Sequence, residues 1–242
     1  MSTKLLVVTV NYCCADLILE GLEETVAQLE SLGDSAYWIV DNNSPDESVH
    51  HLRAALAERG YGDRVRLILS DKNDGFGAGN NIAFRTAMAE PDAPEYFYML
   101  NPDATPQPGA IEALVRFMDT HPEAGAAGSL LCDENGEIQP SLFRFPSLYS
   151  EIDRALRFDV VSRLLKRHDI EIDAPQAPAP ADWVTGASFI VRRSVLKTAG
   201  VFDEAFFLYW EEVELCHRIR AAGFEIYGVP DSLVLHIGGV ST

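Results

Sequence analysis

The sequence predicts an α/β fold in which a parallel sheet continues into a mixed sheet. Short apolar runs alternate with amphipathic helical patterns four times in about the first 120 residues. This alternation is typical of right-handed βαβ crossovers, which build a parallel sheet covered by helices on both faces. The second half loses the alternation and begins with a hairpin-like pair of segments, so we expect antiparallel pairing there.

The first half contains four predicted strands, each a short apolar run of the kind buried in parallel sheets, at 5–10, 37–40, 65–69 and 96–100. Apolar residues at helical spacing follow each strand. Gly33 stops the first helix, and Ser44-Pro45-Asp46-Glu47 reads as a capping box that starts the second. The third helix runs to about Glu90, and Pro108-Gly109 opens the fourth.

The second half is predicted to contain shorter and more varied elements. In order they are a hairpin-type pair at 124–131 and 137–143, a helix with a basic face at 147–168, a mobile Ala/Pro-rich loop at 174–181, a strand at 183–191, a short helix at 194–199, a helix that contains Glu211, and strands at 224–229 and 232–237. The loop and the basic helix are our candidates for a lid that excludes water.

Composition restricts the classes of partner. Apolar residues make up 47% of the chain and charged residues 23%, as in ordinary globular proteins. The net charge of -18 argues against non-specific binding to nucleic acid or to an anionic membrane. A phosphorylated substrate remains compatible with this charge if a metal ion or helix N-termini supply local positive potential.

Four cysteines occur without metal-ligand spacing or a disulfide framework, which predicts reduced thiols in a cytoplasmic protein. No apolar window has the length of a membrane-spanning helix, and the first apolar run is too short for a secretion signal.

Polar clusters follow the predicted strands at Asn11, at Asp41, at 73–81 and at 101–103. Ligands of parallel α/β sheets bind beyond the carboxyl ends of the strands. The coincidence of four clusters at four strand ends therefore predicts a binding site at this edge of the sheet.

Each cluster also has a purely structural interpretation. Asp41 can bind a base or ribose, or form an Asx turn. The glycines from Gly75 to Gly79 let a ligand approach the backbone, although they do not fit a dinucleotide fingerprint. Asp103, held stiffly after Pro102, can bind a divalent cation together with substrate phosphates, or simply end a turn. His236 is a metal ligand only if its strand ends beside Asp103.

Three carboxylates, Glu211, Glu212 and Glu214, follow a run of aromatic and aliphatic residues. Apolar neighbours and adjacent carboxylates raise a carboxyl pKa, as a general base requires. Acidic residues are also favoured in the first turn of a helix for structural reasons alone.

Helical geometry assigns the three acids different directions, because successive side chains rotate by about 100°. Glu211 lies closest to the buried stripe that contains Leu215, so we expect it to be a structural acid that bonds inward or caps the helix. Glu214 is expected to pair with Arg218 at i+4. Glu212 is then free to face a cleft.

Taken together, the motifs resemble the inverting family 2 glycosyltransferases of GT-A fold, in particular their bacterial rhamnosyltransferase-like branch. The matching segments run in order across nearly the whole chain. They are Val8-Thr9-Val10-Asn11-Tyr12, Val40-Asp41-Asn42-Asn43-Ser44, Asn73-Asp74-Gly75-Phe76 with Asn80-Asn81, Leu100-Asn101-Pro102-Asp103, Trp183-Val184-Thr185-Gly186-Ala187, Phe207-Leu208-Tyr209-Trp210-Glu211-Glu212-Val213-Glu214-Leu215, and residues 236 to 241.

The resemblance implies a role for each matching residue. Asp41 would bind the nucleobase, Asp103 and His236 would hold Mg²⁺ or Mn²⁺ on the donor diphosphate, and Glu212 would be the general base. The donor side would comprise Asn11, Asp41, Asn43, Gly75, Phe76, Asn80, Asn101 and Asp103. The acceptor side would comprise Trp183, Thr185, Gly186 and Glu211.

The sequence departs from the family pattern at two positions and at its end. Asn101 replaces the first acid of the family's DxD motif, and Glu212 stands where the family more often has Asp. Relatives usually continue through another helix after the histidine. The resemblance thus predicts a single GT-A domain over 1–242, with a nucleotide-sugar half at 1–120 and an acceptor half at 121–242 whose acceptor site is incomplete.

The function implied by the resemblance is inverting transfer of a sugar from dTDP-rhamnose or a UDP-sugar to a hydroxyl, in bacterial cell-surface polysaccharide synthesis. The acceptor would be a glycan or a polyprenyl-diphosphate-linked sugar. The basic face of 147–168 is either a contact with a lipid diphosphate acceptor at the inner face of the membrane or simply a solvated helix face. Two alternatives stay open. A sugar-nucleotidyltransferase would need basic residues near the first strand, where the sequence has Asn11-Tyr12, and a silent nucleotide-sugar-binding module would lack the base.

Overall fold

The structure is a computed structural model that describes residues 4–62, 64–146 and 170–238. Its strands are β1 (Leu5–Asn11), β2 (Ser35–Asp41), β3 (Val65–Leu69), β4 (Tyr96–Leu100), β5 (Ala104–Pro106), β6 (Ala124–Cys132), β7 (Ile138–Gln139), β8 (Leu142–Phe143), β9 (Ala179–Ala181), β10 (Trp183–Val184), β11 (Ser188–Arg192) and β12 (Glu225–His236). Its helices are α1 (Ala15–Leu32), α2 (Ser48–Glu58), α3 (Phe76–Ala89), α4 (Ala110–Thr120), α5 (Arg193–Ala199) and α6 (Glu211–Ala221). The basic helix predicted at 147–168 lies outside the described residues.

One sheet runs through both halves of the chain in the order β3-β2-β1-β4-β11-β6-β12-β5, with β7 paired to β6 and β9 to β12. The first four strands are parallel, whereas β11 is antiparallel to both of its neighbours and β12 is parallel to β6. The prediction of a parallel sheet that continues into a mixed one is confirmed.

The strands bury alternate residues on opposite faces of the sheet, as a period of two requires. Leu5 and Val7 of β1 pack into a cluster with α1, α2 and α4, while Leu6 and Val8 pack into a second cluster with α3, α5 and α6. Helices α3 and α6 therefore share one face. In the described ranges, none of the helices has the length and hydrophobicity that a bilayer crossing requires.

The capping box predicted at Ser44 is wrong. Helix α2 begins at Ser48, whose N–H donates to Asp46 Oδ1 at 3.1 Å. The Ser44 hydroxyl instead donates to Asp41 Oδ1 at 2.6 Å and accepts from the Cys13 N–H at 3.0 Å. A serine hydroxyl can bond to backbone groups at the start of a helix or to groups at the end of a strand. Here the contact with Cys13, distant in the sequence, accompanies the second choice.

Three predicted segments of the second half pair differently from the prediction. The strand expected at 183–191 is interrupted at 185–187, and β10 leaves the main sheet to pair with β8. The end of the Ala/Pro-rich segment expected to be a mobile loop is strand β9, antiparallel to β12. The two strands expected at 224–229 and 232–237 are one strand, β12, with a register shift between Val229 and Leu233.

Strand β5 was not predicted, although it positions the end of β12. It starts directly after Asp103 and runs antiparallel to β12, which places His236 opposite Ala104. The hairpin turn between β6 and β7 agrees with the prediction, because Asp133 Oδ1 accepts the N–H groups of Asn135 and Glu137 at 2.9 Å each. The second strand of this pair, expected over 137–143, is shorter than predicted: only β7 pairs with β6, and β8 pairs with β10 in the second sheet.

Helix α6 is tied to the chain before it by Arg218. The guanidinium donates two bonds of 2.6 Å to the Glu214 carboxylate, one of 2.8 Å to Val201 O and a further one to Ala199 O. Charge-assisted bonds of this kind are stronger than neutral ones. Arg218 thereby joins α5, the loop after it and α6.

We predict that Arg218→Ala lowers the free energy of unfolding by about 2 kcal/mol, because it leaves a carboxylate and two carbonyls without their donor. Urea denaturation measures the loss. Arg116→Ala is the control, since Arg116 is exposed and its nearest carboxylate oxygen is 3.9 Å away; it should change stability by at most about 0.5 kcal/mol. Equal effects of the two substitutions would contradict the anchoring role.

Candidate active site

The carboxyl ends of the parallel strands open into a cleft of about 480 Å³. Its walls come from the ends of β1, β2 and β4, the start of α3, the segment 185–187, the loop 207–209, the start of α6 and the end of β12. This is the edge at which the polar clusters predicted a site.

Asn11 and Asp41 lie opposite each other at the ends of β1 and β2 and are both buried. Asn11 Nδ2 donates to Asp41 Oδ1 at 2.6 Å. The Ser44 N–H donates to Asp41 Oδ2 at 3.0 Å, in addition to the bond from its hydroxyl. The Asp41 carboxylate therefore holds the loop after β2, and its contact with a nucleobase stays a prediction.

Asn42 connects this loop to the start of α3. Its side chain is buried and donates from Nδ2 to Gly75 O at 2.9 Å. Gly75 has a φ of 96°, and a Cβ at this position would lie 1.9 Å from Phe207 O. The next residue, Phe76, donates its N–H to that same oxygen at 3.1 Å. Glycine is required at 75 because the two backbones touch there.

Asp103 and His236 meet at the bottom of the cleft. Asp103 follows β4, its residue is 4% exposed, and its Oδ1 lies 3.4 Å from His236 Nε2 at the end of β12. The condition that the histidine strand should end beside Asp103 is therefore met. The pairing of β5 with β12 creates this proximity.

Glu212 is half-buried in the cleft wall at the N-terminus of α6. Burial, and secondly repulsion by the Glu211 carboxylate, raise the pKa of Glu212 from 4.5 to about 7. Hydrogen bonds from the N–H groups of Glu212 itself and of Gly186 act in the opposite direction. The carboxyl can therefore gain and lose a proton near neutral pH, as a general base must.

The two neighbouring acids have separate roles, as the helical geometry predicted. Glu214 forms the bidentate pair with Arg218. Glu211 is 4% exposed, and burial raises its pKa. It borders the cleft, but its Oε2 accepts no hydrogen bond from any residue of the described ranges, so the inward bond that we expected does not form at that oxygen.

Nine of the predicted site residues border the cleft: Gly75, Phe76, Asn101, Asp103, Thr185, Gly186, Glu211, Glu212 and His236. The other five, Asn11, Asp41, Asn43, Asn80 and Trp183, do not line the cleft. Asn80 is buried and donates to Phe76 O at 3.0 Å, and Asn43 is exposed after the β2 strand end. Trp183 stacks on Phe143 with a ring-centroid distance of 4.0 Å.

Sequence reasoning missed several residues that border the cleft, among them Tyr12, Asn42, Asn73 and Tyr209. Each lies within one of the motifs that carry the resemblance, but only Tyr12 and Asn42 adjoin a predicted site residue. Asn42 adjoins Asp41, and the two side chains leave the strand end in different directions. Strand alternation could have suggested that only one of the two faces the ligand.

Two residues fit a divalent cation only if the substrate completes its coordination. No group of three or more His, Cys, Asp or Glu side chains forms a metal cluster in the ranges 4–62, 64–146 and 170–238. The Asp103 carboxylate and the His236 imidazole, 3.4 Å apart, could provide two ligands. One carboxylate together with substrate phosphates is how Mg²⁺ is usually bound, and imidazole is also accepted by first-row transition metals.

Comparison with known proteins agrees with this geometry. The profile described as Glycosyl transferase family 2 matches residues 5–170, more than half of the chain. The chain belongs to glycosyl transferase family 2. The resemblance found in the motifs is thus confirmed at the level of the family.

Curated relatives of this family 2 chain include two rhamnosyltransferases. The N-acetylglucosaminyl-diphospho-decaprenol L-rhamnosyltransferase of Mycobacterium tuberculosis is 34% identical over 189 residues, which are 74% of this chain and 60% of the relative. The rhamnosyltransferase WbbL of Escherichia coli is 26% identical over 165 residues, 67% of this chain and 60% of the relative. The chain spans about 60% of the length of these two relatives.

Solved structures identify the fold of this family 2 chain as GT-A. The crystal structure of GalNAc-T7 with UDP, GalNAc and Mn²⁺ has a TM-score of 0.68 to this chain at 15% identity. The similarity covers 97% of this chain and 44% of that one. At this identity the likeness shows the fold alone, and it confirms the predicted fold class.

We predict that Glu212→Gln stabilises the protein at alkaline pH. A carboxyl whose pKa is raised on folding contributes stability that is complete below its unfolded pKa of 4.5 and is lost as the pH rises through about 7. Glutamine removes this dependence. The stability of Glu212→Gln relative to wild type should therefore increase between pH 4.5 and pH 8 by as much as about 3 kcal/mol.

Urea denaturation of both proteins across this pH range measures the difference. Glu58→Gln, at an exposed position of α2, is the control and should differ from wild type by about 0.5 kcal/mol or less. A difference between Glu212→Gln and wild type that does not change with pH would show that Glu212 is not buried as described.

Proposed function

We propose that this domain transfers a sugar from a nucleoside diphosphate to an acceptor hydroxyl with inversion of configuration. The observation that carries the proposal is the position of Glu212, a carboxyl with a pKa of about 7, in the same cleft as Asp103 and His236. Membership of family 2 supports a transferase. The continuous sheet supports the proposal that both halves act as one domain.

The ends of β1, β2 and β4 are the proposed donor side. The loop fixed by Asp41 and Ser44 and the start of α3 at Gly75 enclose this part of the cleft. The diphosphate is proposed to lie towards Asp103 and His236, which would hold Mg²⁺ or Mn²⁺ there. A bound cation would neutralise negative charge on the leaving diphosphate.

Glu212 is proposed to remove the proton of the acceptor hydroxyl. The hydroxyl oxygen forms a bond to the anomeric carbon while the bond from that carbon to the diphosphate breaks, and the proton remains on Glu212 until water accepts it. Attack from the side opposite to the leaving group inverts the configuration. The neighbouring Glu211 carboxyl, by repulsion, favours proton uptake by Glu212.

The acceptor and donor are proposed from the relatives. The mycobacterial relative is named for transfer of L-rhamnose to N-acetylglucosaminyl-diphospho-decaprenol. We infer a rhamnosyl or related nucleotide-sugar donor and a lipid-diphosphate-linked sugar as acceptor, within cell-surface glycan synthesis. The free thiols of Cys13, Cys14, Cys132 and Cys216 suit a reducing compartment such as the cytoplasm.

We predict that Glu212→Gln lowers the rate of sugar transfer by about 10²-fold or more, the usual scale of general-base loss. Donor affinity, measured by titration calorimetry, should stay within about threefold of wild type. The wild-type rate should increase with pH through about 7, because the base must be deprotonated. Transfer by Glu212→Gln at the wild-type rate would refute the assignment.

We predict that Asp103→Ala abolishes the enhancement of nucleoside-diphosphate binding by Mn²⁺ while the protein stays folded. Titration of UDP and dTDP with and without Mn²⁺ measures this effect without any turnover. Asp133→Ala, which removes an exposed carboxylate at the turn between β6 and β7, is the control. An unchanged metal dependence in Asp103→Ala would exclude Asp103 as a ligand.

A further inference from the structure

Four consecutive large apolar side chains are exposed just before α6. Phe207 is 57% exposed, Leu208 39%, Tyr209 60% and Trp210 60%. We call residues 207–210 the aromatic segment. Single exposed apolar residues are normal on a protein surface, but a contiguous patch marks a binding surface.

The backbone of the aromatic segment is constrained at both ends. Phe207 O accepts the Phe76 N–H at 3.1 Å, and Trp210 O accepts the Glu214 N–H at 2.9 Å. Between them Tyr209 and Trp210 have φ values of 68° and 73°, in the left-handed region that non-glycine residues rarely adopt. Such strain is found at binding sites, where surrounding structure imposes it. Here it keeps two aromatic rings in solvent.

The aromatic segment continues the surface of the active-site cleft. Phe207, Leu208 and Tyr209 border the cleft, and Trp210 follows them directly before Glu211 and Glu212, which also border it. A group attached to an acceptor sugar at Glu212 can therefore leave the cleft across this segment.

The chemistry of the aromatic segment suits a hydrocarbon better than a sugar. Its side chains contain two polar groups, the Tyr209 hydroxyl and the Trp210 indole N–H. Aromatic rings also stack on the apolar face of a sugar, but a sugar subsite still requires several donors and acceptors for its hydroxyls, since unpaired polar groups are costly to bury. An aliphatic chain requires only apolar area to cover.

We propose that the aromatic segment binds the hydrocarbon chain of a lipid-linked acceptor whose sugar lies at Glu212. The inference rests on the proposed function and adds to it the residues that would bind the lipid chain of the acceptor. Because three of the four residues border the cleft, the occupant that we propose is the chain of the bound acceptor, and the surface of a bilayer is the alternative that a vesicle control tests.

The test compares two acceptors that have the same N-acetylglucosaminyl diphosphate, attached to a polyprenyl chain in one and to a methyl group in the other. The variant is Trp210→Asn, because asparagine tolerates the left-handed conformation and removes the apolar surface. It should raise KM for the polyprenyl acceptor by about tenfold, equivalent to about 1.4 kcal/mol. KM for the methyl acceptor and donor affinity should not change.

Two control variants distinguish apolar contact from other effects. Trp210→Phe keeps an apolar ring and should retain the preference for the polyprenyl acceptor. Ile138→Asn removes an exposed apolar side chain, 48% accessible, from β7 away from the cleft, and should have no effect on either acceptor. An equal rise of KM for both acceptors, or no rise for either, would overturn the inference.

A binding measurement separates this inference from the proposed function. Trp210 is exposed, whereas Trp38 is buried and Trp183 is stacked on Phe143. Polyprenyl diphosphate without sugar should therefore shift the tryptophan emission of wild type to shorter wavelength, and that of Trp210→Phe much less. This holds even if neither acceptor is glycosylated. Absence of the shift, or an equal shift with acceptor-free phosphatidylcholine vesicles, would overturn the inference.

Discussion

A close backbone contact between the two halves of the chain constrains the geometry of the active site. The Phe76 N–H donates to Phe207 O, and Gly75 leaves room for that oxygen where any Cβ would collide with it. Asn42 fixes the other side of Gly75. The start of α3, on the donor side, and the loop that leads to Glu212 are thus held together by main-chain atoms. A main-chain contact has few alternative geometries, so it sets the width of the cleft more rigidly than a side-chain contact would.

The start of α6 has two opposite effects on the protonation of a carboxyl group. The N-terminus of a helix stabilises negative charge, whereas burial and an adjacent carboxylate favour the protonated form. The Glu214 carboxylate is stabilised by its ion pair with Arg218. Glu211 is buried, and its Oε2 accepts no hydrogen bond from any residue in the described part of the chain. Glu212 borders the cleft beside the Glu211 carboxylate. Burial, and secondly repulsion by Glu211, outweigh the helix N-terminus there and raise the pKa of Glu212 to about 7.

Local patterns were sufficient to predict the fold class and the separation of the three acids, because both depend on short-range periodicity. The alternation of strands and helices predicted the parallel sheet of the first half. A rotation of about 100° per residue predicted that Glu212 and Glu214 point in different directions. Features determined by distant parts of the chain were missed. The Ser44 hydroxyl accepts from the Cys13 N–H, 31 residues earlier, instead of capping α2, and β5 pairs with β12, more than 120 residues later. Neither partner is visible in the local sequence.

The position of His236 depends on a buried polar network within the sheet. The hydroxyls of Tyr98, Ser188, Ser129 and Ser232 form a continuous chain of hydrogen bonds of 2.8, 2.6 and 2.6 Å across β4, β11, β6 and β12. Ser232 lies in the register shift of β12, so the last link holds the strand where it would otherwise be free to slip. Buried hydroxyls require partners, and here each partner is on a neighbouring strand. Two of the elements through which the acceptor half reaches the cleft are therefore fixed in different ways: α6 by the charge of Arg218, and β12, with His236 at its end, by hydroxyls in the core.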